Sequence, residues 1–334
     1  MRKRTYIRPN GMGSMLAFLL ALCLLVTGCG TGQNQASEQT GSSSAGETAQ
    51  AEQSQSYVVK HAMGETTING TPKRVVVLTN QGVETLLALG VKPVGAVSAW
   101  NSDTFYDHVK AQMEGVTVVG DETQPNVEAI AALQPDLILG MKFRHEKIYQ
   151  QLSAIAPTVF CEEPRGDWKE NFKLYAEAVN KKAEGEKVLA DWDKKVAEVK
   201  QKAGDKLQTK ISLVRFMPGK VRIYYKDTFA GVILNELGFA RPDSQNKEDF
   251  AAEVTKERIP EMDGDMLFYF VYETGDNKAS ALEQEWTNDS LWKNLQVVKN
   301  NKAFKVNDVI WNTSGGVLAA NQMLDELSQF IDKM

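Results

Sequence analysis

Between residues 74 and 160, short β-rich runs alternate with segments of helical periodicity, and this alternation constrains the fold more than any other feature of the chain. The strand-like runs are 74–78, 93–97, 118–119, 136–139 and 158–160, and the helix-like segments are 83–90, 127–133 and 145–155. Strands separated by helical crossovers predict βαβ units and a mostly parallel sheet covered on both faces. In such a sheet, ligands sit beyond the carboxyl ends of the strands. The alternation resumes after residue 205, with strand-like runs at 211–216, 221–225, 266–272 and 302–306, and helical segments at 228–238, 255–262, 290–295 and from Gly316 onward. Pro218-Gly219 between two of the runs predicts a hairpin.

The two halves share a detail. Glu128, Ile130, Leu133 and Asp136, followed by the apolar run 137–139, recur at the same offsets as Glu257, Ile259, Met262 and Asp265, followed by 266–268. Each set falls on the corresponding helix-to-strand step of its half, so it reads as a pseudo-repeat that sets one exposed glutamate on each lobe. Between the halves, Trp168, Phe172, Tyr175 and Val179, then Val188, Trp192, Val196 and Val199, are spaced by threes and fours. This spacing predicts one long helix over 167–204, capped by Asp167 with Glu170, as a spine between lobes, with Gly185 as the place for a kink or break. The expected organisation is a first α/β lobe over 57–166, the connecting helix over 167–204 and a second α/β lobe over 205–334.

At the start of the chain, Arg2, Lys3, Arg4 and Arg8 precede the apolar run 15–26, and no acid occurs before Glu38. A basic stretch, an apolar stretch and the small residues before Cys29 predict a signal peptide over 1–28. The apolar run is shorter than the ~20 residues that a bilayer-spanning helix requires. Val26-Thr27-Gly28-Cys29 matches the lipobox of bacterial lipoproteins, which makes Cys29 the lipid-bearing first residue of the mature chain and predicts anchoring at the extracytoplasmic face of the cell membrane. Residues 30–56 hold no large apolar side chain, so 29–56 reads as a lipidated flexible linker. Loss of the four cations of 1–28 takes the formal net charge from -5 to -9, a surface ill suited to nucleic acid. Cys23 leaves with the signal peptide and Cys29 carries lipid, so Cys161 remains as a lone thiol, read as a small buried residue.

The chain contains no HExxH, CxxC, Gly-x-Ser-x-Gly, Walker loop or Gly-x-Gly-x-x-Gly after a strand, which removes the specific reasons to propose catalysis. Its three histidines, His61, His108 and His145, form no zinc motif, so no resident metal is expected. His108 beside Asp103 and Asp107 reads as part of a solvated loop. At the predicted strand ends the chain instead places cations and aromatics: Trp100, the run 141–144, Arg215 with Phe216, Arg222 and Tyr224 on one face of the hairpin, Tyr269 and Tyr272, and Trp311. Arginine presents a fixed fork of donors to carboxylate or hydroxamate oxygens, and aromatic walls add apolar area. A cleft lined in this way predicts an anionic or oxygen-rich small molecule.

Asn126-Val127-Glu128-Ala129-Ile130 leading to Leu133-Gln134-Pro135-Asp136-Leu137-Ile138, with Val254-Thr255-Lys256-Glu257-Arg258-Ile259 in the second half, carries a family resemblance. Together with the lipobox and the spine helix, these motifs resemble the substrate-binding lipoproteins of bacterial ABC importers for iron(III)-siderophores. That family also includes ferric hydroxamate, ferric citrate and cobalamin binders, and the resemblance runs from about residue 57 to the end of the chain. It implies an α/β fold of the class III periplasmic-binding-protein type, in which two Rossmann-like lobes are joined by one long helix around a shallow cleft that closes little. It further implies a monomer without enzymatic activity, and a permease dimer whose arginines meet Glu128 and Glu257.

The stretch 213–225 resembles the branch that binds hydroxamate or citrate-based siderophores. The implied ligand is a ferric siderophore with excess negative charge, held by Trp100, Arg144, Arg215, Arg222, Tyr224, Tyr272 and Trp311, with the arginines gripping oxygens and the aromatics forming walls. Because the siderophore fills the coordination shell of the iron, no protein metal ligand and no cofactor is implied. Cobalamin or haem on the same fold is the alternative ligand, and the number of cations speaks against it. A secreted enzyme on the same scaffold is the remaining alternative.

Overall fold

The computed structural model describes residues 56–163, 166 and 168–334. The expected signal peptide, the lipid-bearing Cys29, nearly all of the linker and the expected cap Asp167 lie outside the described residues. The chain opens with an antiparallel hairpin, β1 (Ser56–His61) and β2 (Gly64–Asn69), that the sequence reading did not separate. Its two-residue turn, Ala62-Met63, sets Tyr57 opposite Ile68, and the Ala62 N–H bonds the Phe160 carbonyl at 2.9 Å.

The first lobe is built on β3 (Val75–Val77), β4 (Gly95–Ala96), β5 (Thr117–Val118), β6 (Leu137–Met141) and β7 (Thr158–Cys161), all parallel, in the order β5-β4-β3-β6-β7. β3, β6 and β7 are buried along their whole length, as strands covered on both faces must be. Val75 and Val77 join a cluster with Leu86, Phe172 and Tyr175, while Val76 points the other way, to Ile130 and Leu152. The second lobe holds β8 (Ile211–Met217), β9 (Lys220–Tyr224), β10 (Ala251–Val254), β11 (Met266–Val271) and β12 (Ala303–Lys305), in the order β10-β9-β8-β11-β12. β8, β11 and β12 are parallel. β9 turns back antiparallel to β8, with Gly219 at φ 75°, and is paired in turn by β10, a strand the sequence reading missed.

The single helix expected over 167–204 is two helices, Trp168–Ala178 and Lys182–Ala203. The break falls at Asn180, whose φ of 56° is left-handed and which asparagine tolerates, rather than at Gly185. Gly185 lies inside the second helix, where a Cβ would come within 2.8 Å of Ala176. The first helix belongs to the first lobe, packing on the helix Asn80–Ala88 and on β7. The second, 22 residues and therefore ~33 Å long, is the one that joins the lobes. The C-terminal helix, Val317–Phe330, packs against it and returns to Asn80–Ala88.

That return is fixed by Glu84, a first-lobe carboxylate only 1 % exposed. It accepts the Ala319 N–H at 2.8 Å and the Ser314 hydroxyl, so it satisfies donors at the start of the C-terminal helix, where negative charge is favoured. His108 Nε2 lies 2.8 Å from the same carboxylate with 8 % of its side chain exposed. The expectation of a solvated loop at His108 is therefore corrected: the ring is drawn in as a third partner of the buried Glu84 carboxylate, beside Ser314 and Ala319.

The pseudo-repeat has matching geometry in both lobes. Asp136 accepts the N–H groups of Lys73 and Arg74, each at 2.8 Å, just before β3, and Asp265 accepts that of Lys210 at 2.8 Å, just before β8. Ile130 and Ile259 are fully buried, and Glu128 and Glu257 stand exposed above them.

Candidate ligand-binding cleft

Between the lobes, the carboxyl ends of the strands line a cavity of about 460 Å³, within the range of small-molecule sites. The first lobe contributes Asn80 and Gln81 after β3, Trp100 after β4, Glu122 after β5, and Phe143 and Arg144 after β6. The second contributes Arg215 from β8, Arg222 from β9, Tyr272 after β11 and the stretch 312–315 after β12.

Arg215 sits on the inner wall, 9 % exposed. Its Nε–H donates to Asp308 Oδ1 at 2.6 Å and its Nη2 to Asp308 Oδ2 at 2.9 Å, a bidentate pair. Nη2 also donates to Thr313 Oγ1 and Nη1 to Tyr224 Oη, both at 3.0 Å. Partners among the described residues thus engage four of the five guanidinium donors. Burial opposes the charge, but Tyr224 and Asp308 outweigh it and hold the guanidinium protonated above its usual range. Arg222 lies opposite Arg215 in the β8–β9 register, with Glu253 at 3.9 Å.

Each lobe presents a cation over an aromatic face. The Arg215 guanidinium lies 4.7 Å from the Tyr272 ring centre and that of Arg144 4.9 Å from the Trp100 ring centre. Tyr272 Oη donates to the Trp100 carbonyl at 3.2 Å, which ties the two stacks across the cleft. Gln81 Nε2 donates to the Gly315 carbonyl at 2.8 Å, a second tie between first-lobe and second-lobe segments.

Glu122, 5 % exposed, accepts the Asn80 amide at 3.2 Å. Burial raises its carboxyl above the usual range, while Arg144 and the side chains of Asn80 and Trp100 act in the opposite direction. The loop that bears it is held by His145, whose Nε2 lies 2.9 Å from the Glu122 carbonyl and whose Nδ1 accepts the Met141 N–H at 3.1 Å. With both ring nitrogens committed and the side chain fully buried, burial depresses the imidazole to about 4, so it is neutral at pH 7. Burial also pushes the Cys161 thiol up to about 12 beside Tyr175 Oη, which makes it unreactive.

Of the seven residues expected in the cleft, Trp100, Arg144, Arg215, Arg222 and Tyr272 line the cavity. Tyr224 and Trp311 do not. Tyr224 is fully buried beneath Arg215, which donates to its hydroxyl, and packs on Phe250 and Phe270. Trp311 is fully buried against Phe268, its Nε1–H donating to Glu326 at 2.6 Å; the wide helical turn Val309–Thr313 points it inward and turns Asn312 and Thr313 to the cavity. Phe143 enters the cavity wall, whereas Lys142 faces a neighbouring groove with Glu162 at 3.5 Å. Sequence reasoning missed Asn80, Gln81, Glu122, Asp308 and Thr313. The first three follow the runs 74–78 and 118–119, as the strand-end rule requires, but none is a cation or an aromatic.

Among the described residues, no group of three His, Cys, Asp or Glu side chains is placed to hold a metal ion, and no helix is long and apolar enough to cross a membrane.

The periplasmic binding protein family profile matches residues 75–309. A probable siderophore-binding lipoprotein of Bacillus subtilis, YfiY, is 48% identical over 329 residues, covering 96% of this chain and 98% of that protein. The achromobactin-binding periplasmic protein of Dickeya dadantii is 32% identical, covering 77% of this chain and 86% of that one. Among solved structures, Staphylococcus aureus SirA complexed with staphyloferrin B superposes with a TM-score of 0.77 at 37% identity, covering 83% of this chain and 98% of that one.

Proposed function

Since the chain belongs to the periplasmic binding protein family, we propose that it is the extracytoplasmic binding lipoprotein of an ABC importer, which captures an iron(III)-siderophore of hydroxamate or citrate–hydroxamate type. It performs no chemistry on this cargo. The observation that carries the reading is the pair of arginine–aromatic stacks, Arg144 on Trp100 and Arg215 on Tyr272, facing one cavity from two lobes. Such walls grip the oxygens that ring a ferric complex and cover its apolar edges. The names of the relatives, one siderophore-binding, one achromobactin-binding and one complexed with staphyloferrin B, support a siderophore as the cargo.

The ties at Tyr272–Trp100, Gln81–Gly315 and Glu84–Ala319 join the lobes directly and favour a cleft that closes little. Glu128 and Glu257 stand exposed beyond the carboxyl ends of the strands, one per lobe, and meet cations of the permease dimer. A rim contact of this kind acts chiefly on association and register. Lipid on Cys29 keeps the monomeric domain within reach of the permease, and the linker sets the range.

Titration with a panel of ferric siderophores, followed by tryptophan fluorescence, tests the reading. Trp100 lines the cavity, so hydroxamate-containing complexes are expected to quench emission at micromolar concentration. Absence of any response from the folded protein sinks the assignment. Replacing Glu128 and Glu257 together by alanine is expected to abolish uptake with ligand affinity intact, and Cys29→Ser to lower uptake without changing affinity.

A further inference from the structure

The sequence reading expected a cleft with a surplus of positive charge. Among the described residues, however, each cavity arginine is accompanied by a carboxylate. Asp308 grips Arg215 at 2.6 and 2.9 Å, Glu253 lies 3.9 Å from Arg222, and Glu122 shares the first-lobe wall with Arg144. Asp308 and Glu253 neutralise their partners from behind and from the rim. Glu122 differs, because it lines the cavity itself at 5 % exposure. Asn80 donates to one carboxylate oxygen at 3.2 Å, and His145, 2.9 Å from its carbonyl, pins the backbone, so the group is held in the wall.

Burial raises this carboxyl and Arg144 acts against that; in its ionised form it lowers affinity for every anionic ligand in the cavity, in proportion to the ligand's charge. Discrimination is what such a group supplies, because specificity is a difference of affinities and a repulsive element enlarges it. Elementary charge counting separates the ferric complexes. Iron(III) with three hydroxamates is neutral, two hydroxamates with one α-hydroxycarboxylate leave a single negative charge, and three catecholates leave three.

We propose that Glu122 is a specificity-determining residue that restricts the cleft to ferric complexes of low net charge and turns away triscatecholates and other highly anionic complexes. The inference rests on the siderophore-binding function proposed above.

The test measures, by tryptophan fluorescence on the purified full chain, the dissociation constants of three probes: a neutral ferric trihydroxamate, a singly negative ferric bis-hydroxamate–hydroxycarboxylate and a triply negative ferric triscatecholate. Wild type is expected to bind the first two at least about tenfold tighter than the third, and the near-isosteric Glu122→Gln to improve the third by about tenfold while leaving the neutral probe within about twofold. Glu253→Gln, at an exposed rim position, is expected to shift the same ladder in the same direction by less. A wild type that prefers the triscatecholate overturns the inference alone. So does a Glu122→Gln variant that changes all three affinities equally, or a ladder that neither variant moves. A wild type that binds none of the probes overturns the proposed function and this inference with it.

Discussion

Arg215 and Asp308 form a bidentate pair beneath the cleft, with Nε–Oδ1 at 2.6 Å and Nη2–Oδ2 at 2.9 Å, and both side chains are almost excluded from solvent. The pair joins β8 to the segment after β12, so it serves the second lobe as well as the site. Removing one partner of a buried pair leaves an uncompensated charge, at a cost of about 3–5 kcal/mol. Asp308→Ala is therefore expected to lower stability by about that amount in urea denaturation, and Asp308→Asn by less, since one oxygen still accepts from the fork. Equal losses for the two variants would show that shape rather than charge matters at this position.

His145 gives the fold an acid limit. Its imidazole is depressed from 6.5 to about 4, by burial first and by the Arg144 charge last, while the Glu122 carbonyl bond partly offsets this. The native state thus binds the proton less readily than the unfolded chain. Stability from this group is full above pH 6.5, falls as pH drops from 6.5 toward 4, and levels out below. The complete loss is on the order of 3 kcal/mol. His61, also depressed by burial, adds to the trend, and Glu122, raised by burial, opposes it. Urea midpoints measured across this window are expected to slope less in His145→Gln than in wild type. An unchanged slope would remove His145 from the account.

The lobes were legible because their strands are apolar runs between helical segments, and burial on both faces demands that pattern. The pseudo-repeat was legible because its aspartates and isoleucines do the same work twice. β10 was not, since Ala251–Val254 is short and only half buried and its pairing to β9 is set by tertiary contact. The break at Asn180 left a mark that went unused: the apolar spacing lapses between Val179 and Val188, but a glycine, Gly185, drew the expected kink away from the left-handed asparagine. In the cleft, strand-end position found Trp100, Arg144, Arg215 and Tyr272. It could not separate a wall residue from a support such as Tyr224, because both lie on the same face of one hairpin and only packing depth distinguishes them. The carboxylates that compensate the arginines come from segments remote in sequence, Asp308 being 93 residues from Arg215, and no local spacing signals such a pair.

Gly231, in the helix Phe229–Leu237, tests how tightly the second lobe is packed. Helix propensity alone favours alanine over glycine there by about 1 kcal/mol. A Cβ, however, would lie 2.1 Å from the Tyr225 carbonyl and 2.8 Å from that of Lys226, and backbone atoms cannot rotate away. Overpacking of this kind costs about 1–3 kcal/mol or more, so the clash outweighs the propensity. Gly231→Ala is expected to lower the thermal midpoint, and a raised midpoint would mean that the turn before the helix yields easily.

Asp136 and Asp265 allow the pseudo-repeat to be tested as structure, independently of docking. Each precedes the second central strand of its lobe and braces the residues before the first, but Asp136 accepts two N–H groups, of Lys73 and Arg74, where Asp265 accepts one, of Lys210. In each lobe the aspartate N–H also donates back, to the Arg74 carbonyl at 3.0 Å and the Lys210 carbonyl at 2.9 Å. Asparagine keeps one accepting oxygen, and its amide turns a second donor toward any N–H left facing it. Asp265→Asn can direct its oxygen at Lys210 and is expected to lose well under about 1 kcal/mol, whereas Asp136→Asn strands one N–H and is expected to lose about 1–2 kcal/mol. Urea denaturation of the two variants decides the matter. If they fall equally, the second bond at Asp136 contributes nothing, and the two lobes are braced alike by a single backbone contact.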